Sequence, residues 1–265
     1  TGDAKYVDVL ERSMYNGALA GVSLSGDRFF YVNPLESKGD HHRQAWYGCA
    51  CCPSQISRFL PSIGNYIYGL SNDALWVNLF IGNTTKVKVG DQEVTIQQKT
   101  HYPWDGKVEL TVSAVQALDK ELHIRIPGWC KDYQLAVQGQ AVKALVDKGY
   151  AVIKDWKPGD VISLEMEMPV EKVAADPRVK QDVGKRAIQR GPLVYCLEEL
   201  DNPKGFDQLQ LEAGTTFEVV DASELLGGVK LIKAQSGKQQ MTFIPYYAWD
   251  NREAGQMKVW IDYQE

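Results

Sequence analysis

Residues 75–98 read LWVNLFIGNTTKVKVGDQEVTIQQ, and this stretch decides the fold class. Apolar and polar side chains alternate through TKVKV and EVTIQQ, which is the period of a half-buried β-strand. Similar short runs continue to about residue 172, namely KVELTVSA, ELHIRI, YQLAVQ, YAVIKDW and DVISLEME. Turn residues separate the runs, at Gly90-Asp91, Asp105-Gly106 and Pro158-Gly159-Asp160. Regular short strands with turn signals between them predict a β-sandwich over residues 72–172.

A second β-rich region follows over residues 173–265. Its candidate strands are RAIQRGPLVYCLEEL, with a Gly-Pro interruption, and then FEVVD, VKLIKA, QMTFIPYYAW and MKVWIDY. These runs predict a second β-sandwich. Pro169 and the charged stretch EKVAADPRVKQD over residues 171–182 predict a linker between the two β-rich regions.

The first region, residues 1–71, has a different pattern. A helix is predicted from apolar residues at helical spacing, which are Val7, Leu10, Met14 and Ala18. The stretch VSLSGDRFFYV over residues 22–32 predicts a hairpin that turns at Gly26-Asp27. A second helix is predicted to begin at Pro53, with a kink at Pro61. Two helices and one hairpin are too little to close a core, so we expect their apolar faces to need a partner.

The composition limits the classes of function. The 265 residues carry 29 Lys and Arg against 34 Asp and Glu, which gives a formal net charge of −5 without a basic run. This balance argues against nucleic acid as a partner. No segment reaches the roughly 18 consecutive apolar residues of a membrane helix, so we expect no membrane partner. Five cysteines in a chain of this length are not a disulfide scaffold.

Three of the five cysteines lie within four positions, at Cys49, Cys51 and Cys52, directly before Pro53. Thiolates are stabilised at helix N-termini, where unpaired N–H groups and the helix dipole favour negative charge. Zinc prefers sulfur and nitrogen ligands, and adjacent cysteines can reach one metal when the backbone turns between them. The alternative is that all three are buried as small hydrophobic residues. Their clustering before a helix favours reactivity or metal binding.

Residues near this motif allow further interpretations. His41 and His42 could complete a local zinc site with the cysteines, although solvent-facing loop histidines are the simpler interpretation because the spacing matches no common zinc pattern. Phe30 and Tyr31 would point to opposite sides of a strand, so one of them is free to face a cleft. No pair of carboxylates can be placed at the separation that a two-carboxylate glycosidase needs.

Five stretches, taken in chain order, carry a family resemblance. They are YNGALAGVSLSGDRFFYVNPLES (15–37), WYGCACCPSQISRFLPSIGNYIYG (46–69), LWVNLFIG (75–82), RGPLVYCLE (190–198) and FIPYYAWDNREAGQMKVW (243–260). Together they resemble the C-terminal part of glycoside hydrolase family 127, the β-L-arabinofuranosidases, and its relative family 146. The resemblance runs from end to end of the chain, and the CACCP stretch is specific.

The resemblance implies a fold and a mechanism. Members of the family have an (α/α)6 barrel followed by β-sandwich domains, and they hydrolyse β-L-arabinofuranosides with retention through a zinc-bound cysteine nucleophile. Matched position by position, Cys51 is that nucleophile and a zinc ligand, Cys52 is a second zinc ligand, and Tyr31 lines the sugar pocket. The implied cofactor is Zn2+, and the implied partner is a carbohydrate substrate, an arabinofuranoside of plant glycans.

The chain departs from the family pattern in what it lacks. The family completes its zinc site with a Glu-x-Cys motif earlier in the barrel, and this sequence contains no Glu-x-Cys. The acid/base glutamate belongs to that earlier part as well. We therefore expect residues 1–71 to be a barrel remnant, in a piece of a longer enzyme that is inactive alone and that self-associates or binds the missing barrel part. A different class stays open, a non-catalytic carbohydrate-binding or scaffold module made of β-sandwiches.

Overall fold

A computed structural model describes residues 2–89, 91–115, 120–154, 156–203 and 205–265. Within these residues the chain is mainly β with few helices, which confirms the predicted fold class at that level, and its sheets are consistent with β-sandwich domains. The chain divides into two compact units. Unit 1 consists of Thr1–Glu11 and Leu60–Met168, and unit 2 consists of Arg12–Phe59 and Pro169–Glu265. No helix among the described residues is long and apolar enough to span a membrane.

Among the described residues, the α-helices lie in the first 67 positions. Helix α1 (Lys5–Ser13) continues into a π-helical turn, Met14–Ala18, and a 3-10 turn, Leu19–Gly21. Helix α2 (Cys51–Ser62) begins two residues before the predicted Pro53, so Cys51 and Cys52 belong to its first turn. Pro61 lies in the last turn of α2, and the short helix α3 (Gly64–Ile67) follows. Further 3-10 turns are Lys180–Asp182, Glu199–Asp201, Phe206–Gln208 and Tyr246–Ala248.

The strands of the described residues are numbered in chain order. The first twelve are β1 (Glu36–Ser37), β2 (Tyr68–Leu70), β3 (Ala74–Val77), β4 (Asn83–Val89), β5 (Gln92–Thr100), β6 (Lys107–Ser113), β7 (Glu121–Arg125), β8 (Tyr133–Val137), β9 (Gln140–Ala141), β10 (Leu145–Asp147), β11 (Tyr150–Ile153) and β12 (Val161–Met166). The others are β13 (Val170–Ala174), β14 (Lys185–Arg190), β15 (Leu193–Glu198), β16 (Gln210–Glu212), β17 (Thr216–Ala222), β18 (Val229–Ser236), β19 (Gln239–Pro245), β20 (Met257–Lys258) and β21 (Ile261–Gln264).

The described residues of unit 1 form two sheets. One has the order β10-β11-β7-β3-β2, with β3 and β7 parallel, and the other is antiparallel in the order β4-β5-β6-β12-β8-β9. Alternation sets the buried face: in β5, Val94, Ile96 and Gln98 are buried. The predicted turn at Asp105-Gly106 needs its glycine, because a Cβ on Gly106 would lie 2.0 Å from the Met166 carbonyl oxygen. Of the predicted turn at Gly90-Asp91, Gly90 lies outside the described residues.

A buried ion cluster joins α1 to the sheets of unit 1. Arg125, at the end of β7, is fully buried and donates to the Asp8 carboxylate at 2.7 Å and to the carboxylate of Glu11. The Tyr102 hydroxyl also donates to Glu11, at 2.8 Å. The charges are therefore paired and hydrogen-bonded, which is the condition under which buried charges are tolerated. Because Glu11 is buried, the face that α1 turns inward is not purely apolar.

Unit 2 is built on one branched sheet among its described residues. Its main path runs β16-β21-β14-β15-β19-β18-β17, while β13 pairs with β14, β20 pairs with β15, and β1 pairs with β20. Two residues of the N-terminal region, Ala20 and Phe30, are buried in one hydrophobic cluster with side chains of this sheet. Of the other cluster members, Ala187, Cys196, Ile244 and Met257 lie in strands of the sheet, and Tyr246, Trp249 and Val259 lie in the segments that follow β19 and β20. Ala20 and Phe30 are therefore fixed against the C-terminal part of unit 2.

Two predictions from the sequence are wrong in part. The hairpin over residues 22–32 is reduced to a single bridge, Val22 with Phe29, although the chain does turn at Gly26, where φ is +78°. Phe29 pairs on its other side with Gln44, a partner that the local pattern does not reveal. The predicted linker is also wrong over residues 170–174, because this segment is β13, which pairs with β14 along its length.

Candidate active site

The segment Phe29–Val32 places one aromatic side chain in the core and the next at the surface. Phe30 is buried, with its ring centroid 4.9 Å from that of Trp249, whereas Tyr31 is 42% exposed. This confirms that the two aromatics point in opposite directions. Phe29 forms the backbone pair with Gln44, and His41 hydrogen-bonds the Val32 carbonyl at 2.9 Å. The backbone on both sides of Tyr31 is therefore held.

The loop that contains His41 and Gln44 is anchored within unit 2 through Arg43. Arg43 is buried and donates to the carbonyls of Ala20 at 2.8 Å, Tyr247 at 3.2 Å and Trp249. Burial lowers the pKa of Arg43 to about 10, which still leaves it charged at neutral pH. The Asp250 carboxylate accepts the Arg43 backbone N–H at 2.7 Å and contacts His42 Nδ1 at 2.7 Å.

Tyr31 and Cys51 meet at the start of α2. The Tyr31 hydroxyl lies 3.1 Å from Cys51 Sγ, and the sulfurs of Cys51 and Cys52 are 3.8 Å apart. The hydrogen bond from Tyr31, followed by that from Cys52, lowers the pKa of Cys51, with Cys49 adding to the effect. The same hydrogen bond raises the pKa of Tyr31, because the tyrosine hydroxyl has to keep its proton in order to donate to the Cys51 sulfur. Burial raises the pKa of Cys52. The arrangement favours Cys51 as the thiolate of the turn.

A zinc ion fits the two sulfurs as part of a larger ligand set. Two sulfurs bound at about 2.3 Å in tetrahedral geometry lie about 3.8 Å apart, which is the separation observed between Cys51 and Cys52. Structural zinc sites use four ligands. No group of three His, Cys, Asp or Glu side chains that could hold a metal occurs among the described residues. The two thiols therefore suit one edge of a zinc site and do not complete it.

The alternative zinc site built from the loop histidines is not formed within the described part of the chain. Both ring nitrogens of His42 are engaged, with Asp250 at 2.7 Å and the Gly39 carbonyl at 3.1 Å. The His41 ring stacks on Phe30 with centroids 5.0 Å apart and uses Nε2 for the Val32 carbonyl. Both histidines therefore hold the loop in place.

Sequence reasoning missed the residues that support this site. Arg43 and Asp250 are about 200 positions apart, and nothing in the local pattern of either predicts their contact. Tyr47 hydrogen-bonds the backbone of Phe29 and Tyr31 through its hydroxyl. The sequence around Tyr47 carries no signal for these contacts beyond the general tendency of tyrosine hydroxyls to find a hydrogen-bond partner.

Three family models together match almost the whole chain. The catalytic domain of GH127 β-L-arabinofuranosidases matches residues 1–65, the GH127 middle domain matches residues 74–168, and the GH127 C-terminal domain matches residues 170–262. The chain belongs to glycoside hydrolase family 127. The family resemblance predicted from the sequence is confirmed.

Individual GH127 relatives are similar over the same region. The non-reducing end β-L-arabinofuranosidase of Bifidobacterium longum subsp. longum is 36% identical over 299 residues, covering 96% of this chain and 45% of the relative. The crystal structure of a GH127 β-L-arabinofuranosidase from Geobacillus stearothermophilus T6 superposes with a TM-score of 0.93 at 40% identity, covering 100% of this chain and 47% of that one. A second solved GH127 β-arabinofuranosidase gives a TM-score of 0.93 at 39% identity, with 100% and 46% covered. The chain thus spans about half the length of these relatives.

Proposed function

We propose that this chain carries the nucleophile of a retaining β-L-arabinofuranosidase that acts on arabinofuranosides of plant glycans. The observation that carries the proposal is the 3.1 Å contact between the Tyr31 hydroxyl and Cys51 Sγ at the start of α2. The match of residues 1–65 to the GH127 catalytic domain supports it. We further propose that residues 1–71 are the last piece of an (α/α)6 barrel and that residues 72–172 and 173–265 are two β-sandwich domains.

In this mechanism Cys51 acts as a thiolate. Its sulfur attacks the anomeric carbon, so that a carbon–sulfur bond forms while the bond to the leaving oxygen breaks. The leaving oxygen takes a proton from a general acid, and we assign no residue of this chain to that role. Water then displaces the sulfur from the same carbon and gives a proton to the conjugate base of that general acid, which returns the Cys51 thiolate. Two displacements give net retention of configuration.

Tyr31 supports the thiolate and the substrate in the proposed site. Its hydroxyl donates to Cys51 and thereby disfavours the protonated thiol. Its ring is partly exposed beside the sulfur, where an apolar aromatic face suits the carbon–hydrogen face of a sugar. The first turn of α2 adds unpaired backbone N–H groups near Cys51, which also favour negative charge.

Cys51 and Cys52 would hold a zinc ion together with ligands that we do not assign to this chain. When bound, zinc supplies positive charge that keeps a coordinating thiol deprotonated. Because two sulfurs are half of a four-ligand set, we propose that the chain alone has no turnover.

Turnover of an aryl β-L-arabinofuranoside by three variants of the full-length gene product tests the proposal. Cys51→Ser should abolish turnover, because a serine hydroxyl stays protonated and binds zinc poorly. Cys52→Ser should reduce turnover through weaker zinc binding, and Cys49→Ser, the matched control in the same turn, should have the mildest effect. Zinc content is measured beside each rate. An inactive Cys49→Ser variant with an active Cys51→Ser variant would show that the nucleophile is misassigned.

A further inference from the structure

We propose that Tyr47 is a positioning residue that holds Tyr31 within reach of the Cys51 sulfur. This inference rests on the proposed function, because it gives the proposed nucleophile a supporting residue that does not touch it. Tyr47 lies four positions before Cys51, in the loop that leads into α2. Tyr31 lies on a different segment, so a separate contact has to keep the two segments together.

The Tyr47 hydroxyl makes that contact with two hydrogen bonds. It donates to the Phe29 carbonyl at 3.0 Å and accepts the Tyr31 backbone N–H at 3.2 Å. A tyrosine hydroxyl has one donor and free acceptor capacity, so both bonds can form at once. They fix the backbone on either side of Phe30, whose side chain is buried. The direction of the Tyr31 side chain is thereby set by the hydroxyl of Tyr47.

The ring of Tyr47 also limits where the Tyr31 ring can go. The two ring centroids are 5.4 Å apart with planes at 58°, a separation at which aromatic side chains are in contact. Tyr31 is thus bounded by Tyr47 on one side and hydrogen-bonded to Cys51 at its tip.

The loop that carries Tyr47 is itself anchored, so the hydroxyl is a fixed point. Gln44, three positions before Tyr47, exchanges backbone hydrogen bonds with Phe29 at 2.8 and 2.9 Å. Arg43, next to Gln44, is buried and bonded to three backbone carbonyls of unit 2. Loss of the Tyr47 hydroxyl should therefore leave the loop in place and release Tyr31 locally.

Alkylation of Cys51 in this chain tests the inference without zinc or sugar. The chain is treated with iodoacetamide at neutral pH in the presence of a chelator. The rate of alkylation of Cys51 is measured by mass spectrometry, with fragmentation of the peptide that contains Cys49, Cys51 and Cys52. Tyr31→Phe removes the hydroxyl in contact with the sulfur and should shift the rate away from that of the wild-type chain. Tyr47→Phe should shift the rate in the same direction. Since Tyr47 acts through Tyr31, the double variant should react at the same rate as Tyr31→Phe alone.

Matched controls separate positioning from general stability. Tyr66→Phe removes a hydroxyl from an exposed tyrosine of unit 1 and should leave the rate unchanged. Amide exchange of Tyr31 gives a second readout: its N–H should be protected in the wild-type chain and lose that protection in Tyr47→Phe. Three results would overturn the inference. The first is an unprotected Tyr31 amide in the wild-type chain, and the second is a wild-type alkylation rate in Tyr31→Phe or Tyr47→Phe. The third is additive effects of the two substitutions in the double variant. Because neither readout needs turnover, these results stand apart from the test of the hydrolase proposal.

Discussion

Cys51 differs from the cysteines outside its turn in what surrounds the sulfur. Cys51 is exposed and its pKa is lowered by the Tyr31 hydrogen bond, whereas burial raises the pKa of Cys130 to about 11 and raises the pKa of the fully buried Cys196 well above its usual value. Because the thiolate is the reactive form, maleimide at neutral pH should label the 49–52 turn first and Cys196 last. A time course of peptide mass spectra checks this order. Labelling of Cys130 before Cys51 would contradict the account of both residues.

His42 should titrate above the ordinary range of histidine, because the Asp250 carboxylate hydrogen-bonds its ring and raises its pKa. The folded state then binds the proton more tightly, so the pair stabilises the protein below about pH 6.5 and the stabilisation is lost as pH rises through the folded pKa. The side chain is 42% exposed, so the effect should stay below about 1 kcal/mol. In NMR titrations, Asp250→Asn should lower the midpoint of His42 relative to that of the wild-type chain. Equal midpoints for His42 in wild type and Asp250→Asn would rule out this pairing.

At the scale of elements, the buried partners of Arg125 hold α1 in unit 1. Glu11→Gln leaves a buried guanidinium with one charged partner fewer, and breaking such a pair costs about 3 kcal/mol of unfolding free energy. The matched control is Glu93→Gln, the same substitution in a glutamate that pairs with Lys86 at 2.7 Å on the surface. This exposed pair should contribute less than about 1 kcal/mol. Urea denaturation of both variants checks the difference. Equal costs for the two would mean that the buried cluster does not stabilise α1.

The elements that the sequence predicted well are those whose pattern is local. The strands β5 and β12 were predicted from their alternation, because one face of each is buried. The turn at Pro158-Gly159-Asp160 was predicted from its residue types, and Gly159 has a φ of +94° in the structure. The hairpin predicted for residues 22–32 was wrong in part because Phe29 pairs with Gln44, which lies outside this segment. The core partners of Phe30 lie in the C-terminal part of the chain. The strand β13 was hidden because its charged residues, typical of a linker, belong to a paired strand. Pairing between distant segments overrides a short-range pattern.

At the scale of the whole molecule, the chain should bind zinc weakly. In the proposed site, Cys51 and Cys52 are the ligands that the described residues offer, so a bound ion would be held by half of a four-ligand set. Dialysis of the chain against zinc-free buffer followed by metal analysis should find zinc well below one per chain. Retention of stoichiometric zinc that is lost in His41→Gln or His42→Gln would instead favour a local site.

The candidate site was predicted only as far as the family resemblance reached. Cys51, Cys52 and Tyr31 were named from matched motifs, and the structure brings all three to the start of α2. The residues that hold them, Arg43 and Asp250, come from segments about 200 positions apart. Their roles depend on burial and on backbone carbonyls, which a single sequence does not display. The division into three domains stays a prediction.

The central claim is that Cys51 bonds to the sugar, and its most direct test is the mass of the peptide over residues 44–58. The full-length gene product is quenched during turnover of an activated aryl β-L-arabinofuranoside and digested, and the peptide is fragmented to locate any adduct. The account predicts one pentosyl group on Cys51, absent from Cys51→Ser. A pentosyl group on Cys49, on Cys52 or on a carboxylate elsewhere, with Cys51 unmodified, would contradict it.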